Sequence, residues 1–138
     1  VNNEEILELD VNVLVPSALD GVITDANADN IKAKIIIELA NGPTSTEADA
    51  KLHARDVIVI PDVLANAGGV IVSYFEWVQN LANYYWDRDT VLDRLKKQIV
   101  PSFEAVWNAA KEHDADLRTG AYGIATKRIV DAIKLKGI

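Results

Sequence analysis

Apolar positions along the chain change their period, and the change divides the sequence. Three short runs come first: residues 10–15 (DVNVLV) alternate and then become continuous, residues 34–39 (KIIIEL) are apolar almost throughout, and residues 57–60 (VIVI) contain no polar position. Length and β-branching of this kind fit strands buried on both faces of a parallel sheet. Pro16 and Pro61 close the first and third runs, because proline brings no N–H to a ladder. Helix-opening chemistry fills the gaps. Asp25 or Asn27 is expected to cap a short helix reaching Ile31 or Lys32, and Thr44 with Glu47 three residues on fits a capping box for a helix to about Arg55. Residues 1–9, acidic around Ile6, Leu7 and Leu9, are expected to form a short helix or turn.

From Asp62 onward the period becomes helical. After a short PDVLA link, Asn66, Gly68 and Gly69 open an apolar run that continues with few breaks to Trp86 and predicts one long helix. Asp87 or Asp89 is expected to cap the next, from Thr90 to His113, with Leu92, Leu95, Ile99, Phe103, Val106 and Ala110 inward at three- and four-residue steps. Pro101 falls inside it, which predicts a kink or two helices meeting near Val100. A last helix follows Asp116, capped by Thr119, with Ala121, Ala125, Ile129 and Ala132 or Ile133 inward.

Three strands alternating with helices predict an α/β fold: the C-terminal half of a doubly wound, Rossmann-like parallel sheet, followed by a helical C-terminal region. Residues 1–62 form the partial α/β unit and residues 63–138 the helical region packed on it. Open sheets of this kind bind ligands beyond the carboxyl ends of their strands. If the helix is wound by residue 66, Asn66, Val70, Ser73 and Trp77 share one face there. Spacing alone favours a plainer reading, in which Gly68 and Gly69 allow close helix–strand packing and the polar groups are satisfied in the core. Asn41, in the turn Asn41-Gly42-Pro43 after the second strand, likewise suits an Asx turn as well as a ligand.

Composition narrows the classes. The formal charge is −7 and the isoelectric point about 4.7, whereas nucleic acid or an anionic membrane would call for a basic face. Without cysteine there are no disulfides and no thiolate-ligated metals. His53 and His113 are far apart in charged surroundings and are read as solvated surface residues, so no metal site is expected. No run of about 18 apolar residues and no signal-like opening is present, which points to the cytoplasm. There is neither an initiator nor any methionine, so a fragment of a longer chain is expected, and no GxGxxG appears.

Four segments carry a resemblance. PDVLANAGGVIVSYFEWVQN, VLVPSAL at residues 13–19, ELANGPTSTEAD at 38–49 and LRTGAYGIATKRI at 117–129 resemble, in order and separation, the hexameric glutamate, leucine, phenylalanine and valine dehydrogenases. The resemblance implies the C-terminal part of a dinucleotide-binding domain, with NAD or NADP as cofactor and the pyrophosphate fingerprint upstream of Val1. It implies oxidation of L-glutamate to an imine by hydride transfer, and release of 2-oxoglutarate and ammonium by water. Pro16, Ser17 and Ala18 would run along the adenosine side of the dinucleotide, chiefly through backbone, and Asn41 would contact its nicotinamide half. Asn66 would lie where nicotinamide and substrate meet, while Ser73 and the backbone at Val70 would face the distal carboxylate of glutamate.

The catalytic lysine and the acidic proton shuttle belong, in such enzymes, to the other domain, so no catalytic residue is expected here and these residues alone should be inactive. The partners implied are the N-terminal part of the enzyme and further copies, six in the family. Ser73 and the following YFEW favour glutamate over the apolar substrates of leucine, phenylalanine or valine dehydrogenases. A non-catalytic interaction module built from this sequence, and an isolated fragment, are the readings from other classes.

Overall fold

The expected strands form one parallel sheet, shorter than their apolar runs. A computed structural model describes residues 3–137. After α1 (Asn3–Leu7) come β1 (Val13–Leu14), a 3-10 turn (Ala28–Asn30), β2 (Ile35–Ile37), α2 (Thr46–Ala54) and β3 (Ile58–Ile60). The sheet order is β1-β2-β3, all parallel, with Val13 opposite Ile35 and Ile36 opposite Val59. Hydrogen bonds run slightly past the strand ends: Leu39 and Ala40 both donate to the Pro16 carbonyl, and Glu38 donates to that of Ile60. There the ladder stops, because Pro16 and Pro61 have nothing to donate in return.

Ile23, Ile31, Ile36 and Leu52 are wholly buried and form the core beneath the sheet with Ala28, Ala33, Ala48, Val57 and Val59. Local chemistry differs from expectation at two places in this half. Ser45, not Thr44, caps α2, accepting the Ala48 N–H at 3.2 Å. Thr44 is held instead in a parallel bridge with Ile23, its hydroxyl buried without a partner. Asn27 does not cap the 3-10 turn; its side chain accepts from Thr24 N and donates to the Val22 carbonyl, closing the preceding loop. Arg55 donates to the Ala28 and Ile31 carbonyls, and Asp56 then turns the chain into β3 with φ of 59°.

The helical region holds α3 (Asp62–Ala65), α4 (Ala67–Ala82), α5 (Arg88–Glu112) and α6 (Leu117–Leu135). The expected link after Pro61 winds into a helical turn of its own, α3, which meets α4 at Asn66 with φ and ψ of −94° and 0°, and the long helix ends at Ala82 rather than Trp86. Asn83 adopts the left-handed conformation that asparagine tolerates, and the chain folds back. Trp86 then donates its N–H to buried Gln79, stacks edge-on against Phe75 at 5.7 Å and receives Arg94 at 3.9 Å on its face.

Asp87 caps α5, as expected from one of its two candidates, and α5 runs unbroken through Pro101 rather than splitting near Val100. One covered side suffices: Val106 and Ala110 are buried, Leu95, Ile99 and Phe103 half-buried and Leu92 exposed. For α6 the cap is Asp116, not Thr119, which donates both its N–H and its hydroxyl to Asp116. Only its first two turns pack inward, through Leu117, Gly120, Ala121 and the half-buried Ile124 against Leu64, Val106 and Ala110. Ala125, Ile129, Ala132 and Ile133, expected inside, are exposed, since no element of the described residues covers that side.

Two glycines of α6 should respond oppositely to alanine. A Cβ on Gly120 would meet the Val106 carbonyl at 3.0 Å and Ala110 at 3.2 Å, backbone that cannot step aside, so Gly120→Ala should cost about 1–3 kcal/mol in urea unfolding. Gly123 faces open space, and Gly123→Ala should gain about 0.5–1 kcal/mol. Burial pushes the Asp116 carboxyl up, but the hydrogen bonds from Thr119 outweigh it and hold the group below the ordinary value of 3.8. A depressed folded pKa stabilises above the unfolded value and is lost as pH falls through the folded one. Asp116→Ala should therefore cost about 1 kcal/mol at pH 7, and the gap to wild type should narrow in unfolding measured near pH 3.

Candidate functional site

The carboxyl ends of the three strands converge on one set of loops. β1 leads to Pro16, β2 to Glu38 and then Asn41-Gly42-Pro43, and β3 to Pro61 and α3. Backbone bonds stitch these loops together: Pro16 accepts from Leu39 and Ala40, and Gly42 accepts from Gly21. Gly42 takes a φ of 56°, a left-handed turn that an L side chain would strain, and its N–H donates to Asp62 Oδ2 at 2.8 Å. Pro16 is buried, while Ser17 and Ala18 are exposed and the Ser17 hydroxyl turns back onto the Val15 carbonyl.

Asn41 and Asn66, predicted separately, are joined. Asn66 Nδ2 donates to Asn41 Oδ1 at 2.7 Å, bridging the ends of β2 and β3, with a longer contact of 3.4 Å to the Leu39 carbonyl. The interruption between α3 and α4 is what presents Asn66 there: its own N–H is spent on the Asp62 carbonyl, and its side chain is free to cross to the neighbouring loop. With the amides turned so that Asn66 Nδ2 also faces the Leu39 carbonyl, the whole Asn41 Nδ2 amino group and the Asn66 Oδ1 oxygen stay uncommitted. That remainder matches a ligand that itself carries a donor and an acceptor.

Val70 and Ser73 lie one and two turns further along α4, on its exposed side with Trp77; Val70 is 75% exposed and Trp77 57%. The opposite side of α4 carries the buried Phe75 and Gln79. The predicted residues thus fall into a strand-end group, Pro16, Ser17, Ala18, Asn41 and Asn66, in which the two asparagines are bonded to each other, and a solvent-facing group on the helix, Val70 and Ser73. His53 and His113 are both exposed. Among the described residues no group of three or more His, Asp or Glu is arranged to hold a metal, and no helix is long and apolar enough to cross a membrane.

Sequence reasoning missed the charged cluster beneath these loops. Arg118, at the start of α6, reaches Glu38 Oε1 through Nη2 at 2.7 Å, Asp49 Oδ2 through Nε at 2.6 Å and Asp62 Oδ1 through Nη1 at 3.3 Å. Glu38 has no exposed surface, and its second oxygen accepts the Asp62 N–H at 2.8 Å. One signal was available: a glutamate ending a strand buried on both faces must find a cation or a set of donors. Its partner lies 80 residues away, beyond the reach of any local pattern.

The cluster sets three carboxylates around one guanidinium. Burial works against the Arg118 charge, but the hydrogen bonds to Glu38 and Asp49 outweigh it and hold the proton more tightly than in a free arginine. Burial raises the Asp49 carboxyl, only partly relieved by Arg118 because Asp116 and Glu38 add negative charge nearby.

The chain's relatives identify its family and share its fold. Residues 1–137 match the family model described as Glutamate/Leucine/Phenylalanine/Valine dehydrogenase. A glutamate dehydrogenase of Thermotoga maritima is 51% identical over 138 residues, all of this chain and 33% of that protein. An NADP-specific glutamate dehydrogenase of Synechocystis sp. is 50% identical over 137 residues, 99% of this chain and 32% of that protein. Among solved structures, the hetero-hexameric glutamate dehydrogenase of Thermus thermophilus in its Leu-bound form superposes with a TM-score of 0.94 at 33% identity, over 100% of this chain and 33% of that one. The chain spans about a third of the length of the curated relatives it matches.

Removing the cation should expose how much Glu38 depends on it. Arg118→Met leaves a buried carboxylate uncompensated and should cost about 3–5 kcal/mol of stability in urea unfolding. Arg118→Lys keeps the charge but not the three-armed fork, and its loss should be smaller.

Proposed function

The chain belongs to the glutamate/leucine/phenylalanine/valine dehydrogenase family, and from that premise we propose that it forms the cofactor-side portion of an NAD(P)-dependent glutamate dehydrogenase. The reaction is oxidative deamination, in which L-glutamate, water and the oxidised dinucleotide give 2-oxoglutarate, ammonium and the reduced dinucleotide. The observation that carries this reading is the Asn41–Asn66 pair, bonded at 2.7 Å across the carboxyl ends of two parallel strands with the Asn41 amino group and the Asn66 carboxamide oxygen uncommitted. Ligands of doubly wound sheets lie in that position. The donor set suits a carboxamide and sugar hydroxyls, so the residues fit a nicotinamide nucleoside.

When bound, the dinucleotide supplies the acceptor for the substrate's α-hydride. This chain's residues bind and orient. The backbone of Pro16, Ser17 and Ala18 borders the adenosine side. Asn41 holds the nicotinamide half, and Asn66 stands between cofactor and substrate, limiting the motion of the reacting carbons towards near-attack geometry. On α4 the Ser73 hydroxyl and the backbone at Val70 take the distal carboxylate of glutamate; a hydrogen bond to such a charge contributes about 1.5–3 kcal/mol. No residue of this chain is assigned proton transfer. The remainder of a longer polypeptide supplies that, and further copies of the chain complete the assembly.

Ser73 separates glutamate from the apolar substrates of the same family, since a hydroxyl buried against an alkyl side chain would lack a partner. The reading is tested on the full-length polypeptide by glutamate-dependent reduction of NAD and NADP, with leucine, phenylalanine and valine as competitors for the assignment. Activity with an apolar amino acid but not with glutamate would overturn it. Ser73→Val should raise the KM for glutamate about 10- to 100-fold while moving the KM for the dinucleotide less than about twofold; equal effects on both would remove Ser73 from the substrate site.

A further inference from the structure

Arg118 stands on α6, an element to which neither the motifs nor the strand-end geometry assigns a ligand. Its guanidinium nonetheless lies one residue away from the loops that carry Asn41 and Asn66. Nη1 bonds Asp62 Oδ1 at 3.3 Å, and the other oxygen of the same carboxylate accepts the Gly42 N–H at 2.8 Å. Nη2 bonds Glu38 Oε1, and Glu38 Oε2 accepts the Asp62 N–H at 2.8 Å. Both routes end on Asp62. From there one covalent step leads to neither asparagine, but one hydrogen bond leads to each loop: Gly42 N–H beside Asn41, and Asp62 carbonyl to Asn66 N–H at 3.0 Å.

We propose that Arg118 is a positioning residue for dinucleotide binding, acting through Asp62 to fix the Gly42 turn and so the geometry at which Asn41 meets Asn66. The proposal rests on the reading that this asparagine pair receives the dinucleotide.

A simple staple for α6 would be complete without Asp62. Glu38 and Asp49 already give Arg118 its two shorter bonds, at 2.7 and 2.6 Å. The third arm adds little to docking, but it changes what Asp62 can do. That side chain is 20% exposed and sits beside the Glu38 carboxylate, which repels it. Without the cation, water and repulsion both favour its turning outward, and the Gly42 N–H loses its acceptor. Gly42 is the residue whose left-handed φ sets the turn. The Val63 N–H, which donates to the same Oδ1 at 2.8 Å, helps to hold the carboxylate, and the arginine is the arm that brings it a compensating charge and so keeps it facing the loop.

The test is a double-mutant cycle on the full-length protein, with dissociation constants for the reduced dinucleotide read from its fluorescence and folding checked by thermal melting. Asn41→Ala alone should weaken binding about tenfold, and Arg118→Lys alone by a similar factor. If Arg118 acts through the Asn41 loop, the double variant should bind within about twofold of Asn41→Ala, because the contact being positioned is already gone. Effects that multiply, or folded Arg118→Lys binding like wild type while Asn41→Ala is weakened, would overturn the proposal and leave the site reading standing. Unchanged binding by Asn41→Ala would instead overturn the site reading, and this inference with it. Should Arg118→Lys fail to fold, Asp62→Asn reads the same path: it keeps the shape of the side chain and removes the charge, and the same coupling to Asn41→Ala is expected.

Discussion

A carboxylate with no exposed surface sits at the end of the central strand, and the arrangement of the strand-end loops follows from it. Glu38 ends the most buried strand of the sheet, where water cannot reach it. It is tolerated because one oxygen meets the Arg118 guanidinium and the other a backbone N–H at the start of α3. Those two requirements fix, in turn, where α6 must dock and where the chain must turn after β3. Asp49 and Asp62 complete the ring around the same cation, so α2, α3, α6 and the sheet meet at one point.

Much of the fold was legible in local pattern. β-branched runs and their closing prolines give the parallel strands, and the three- and four-residue steps from Leu92 to Ala110 give the side of α5 that packs. What failed did so where a non-local contact chose between equal local options. Thr44 and Ser45 are adjacent hydroxyls, and the cap falls to Ser45 because Thr44 is taken by Ile23. Asp116 and Thr119 are both capping residues, and they meet as acceptor and donor of one cap. The inner face drawn for α6 by periodicity is real as a pattern, yet beyond Ile124 nothing among the described residues covers it.

The candidate site divides in the same manner. Asn41 and Asn66 could be named from the turns they occupy and from the family resemblance, but 25 residues separate them and nothing local announces their bond. The helical winding of the link before Asn66 was not foreseen, although the start of the long helix near that residue was. Arg118 was read only as part of a motif. A charged residue at a doubly buried strand end is the one local sign of the cluster, and it asks for a cation without saying which.

The three bonds of Arg118 span 56, 69 and 80 residues of chain. Closing loops of that length is entropically costly and comes late in folding relative to helix and turn formation. During synthesis from the N-terminus, Glu38, Asp49 and Asp62 all emerge before the arginine that neutralises them. Until α6 arrives, the sheet can assemble its apolar core but cannot bury Glu38 without an uncompensated charge. The loops at the strand ends therefore mature only after the sheet has formed, when α6 is docked on it.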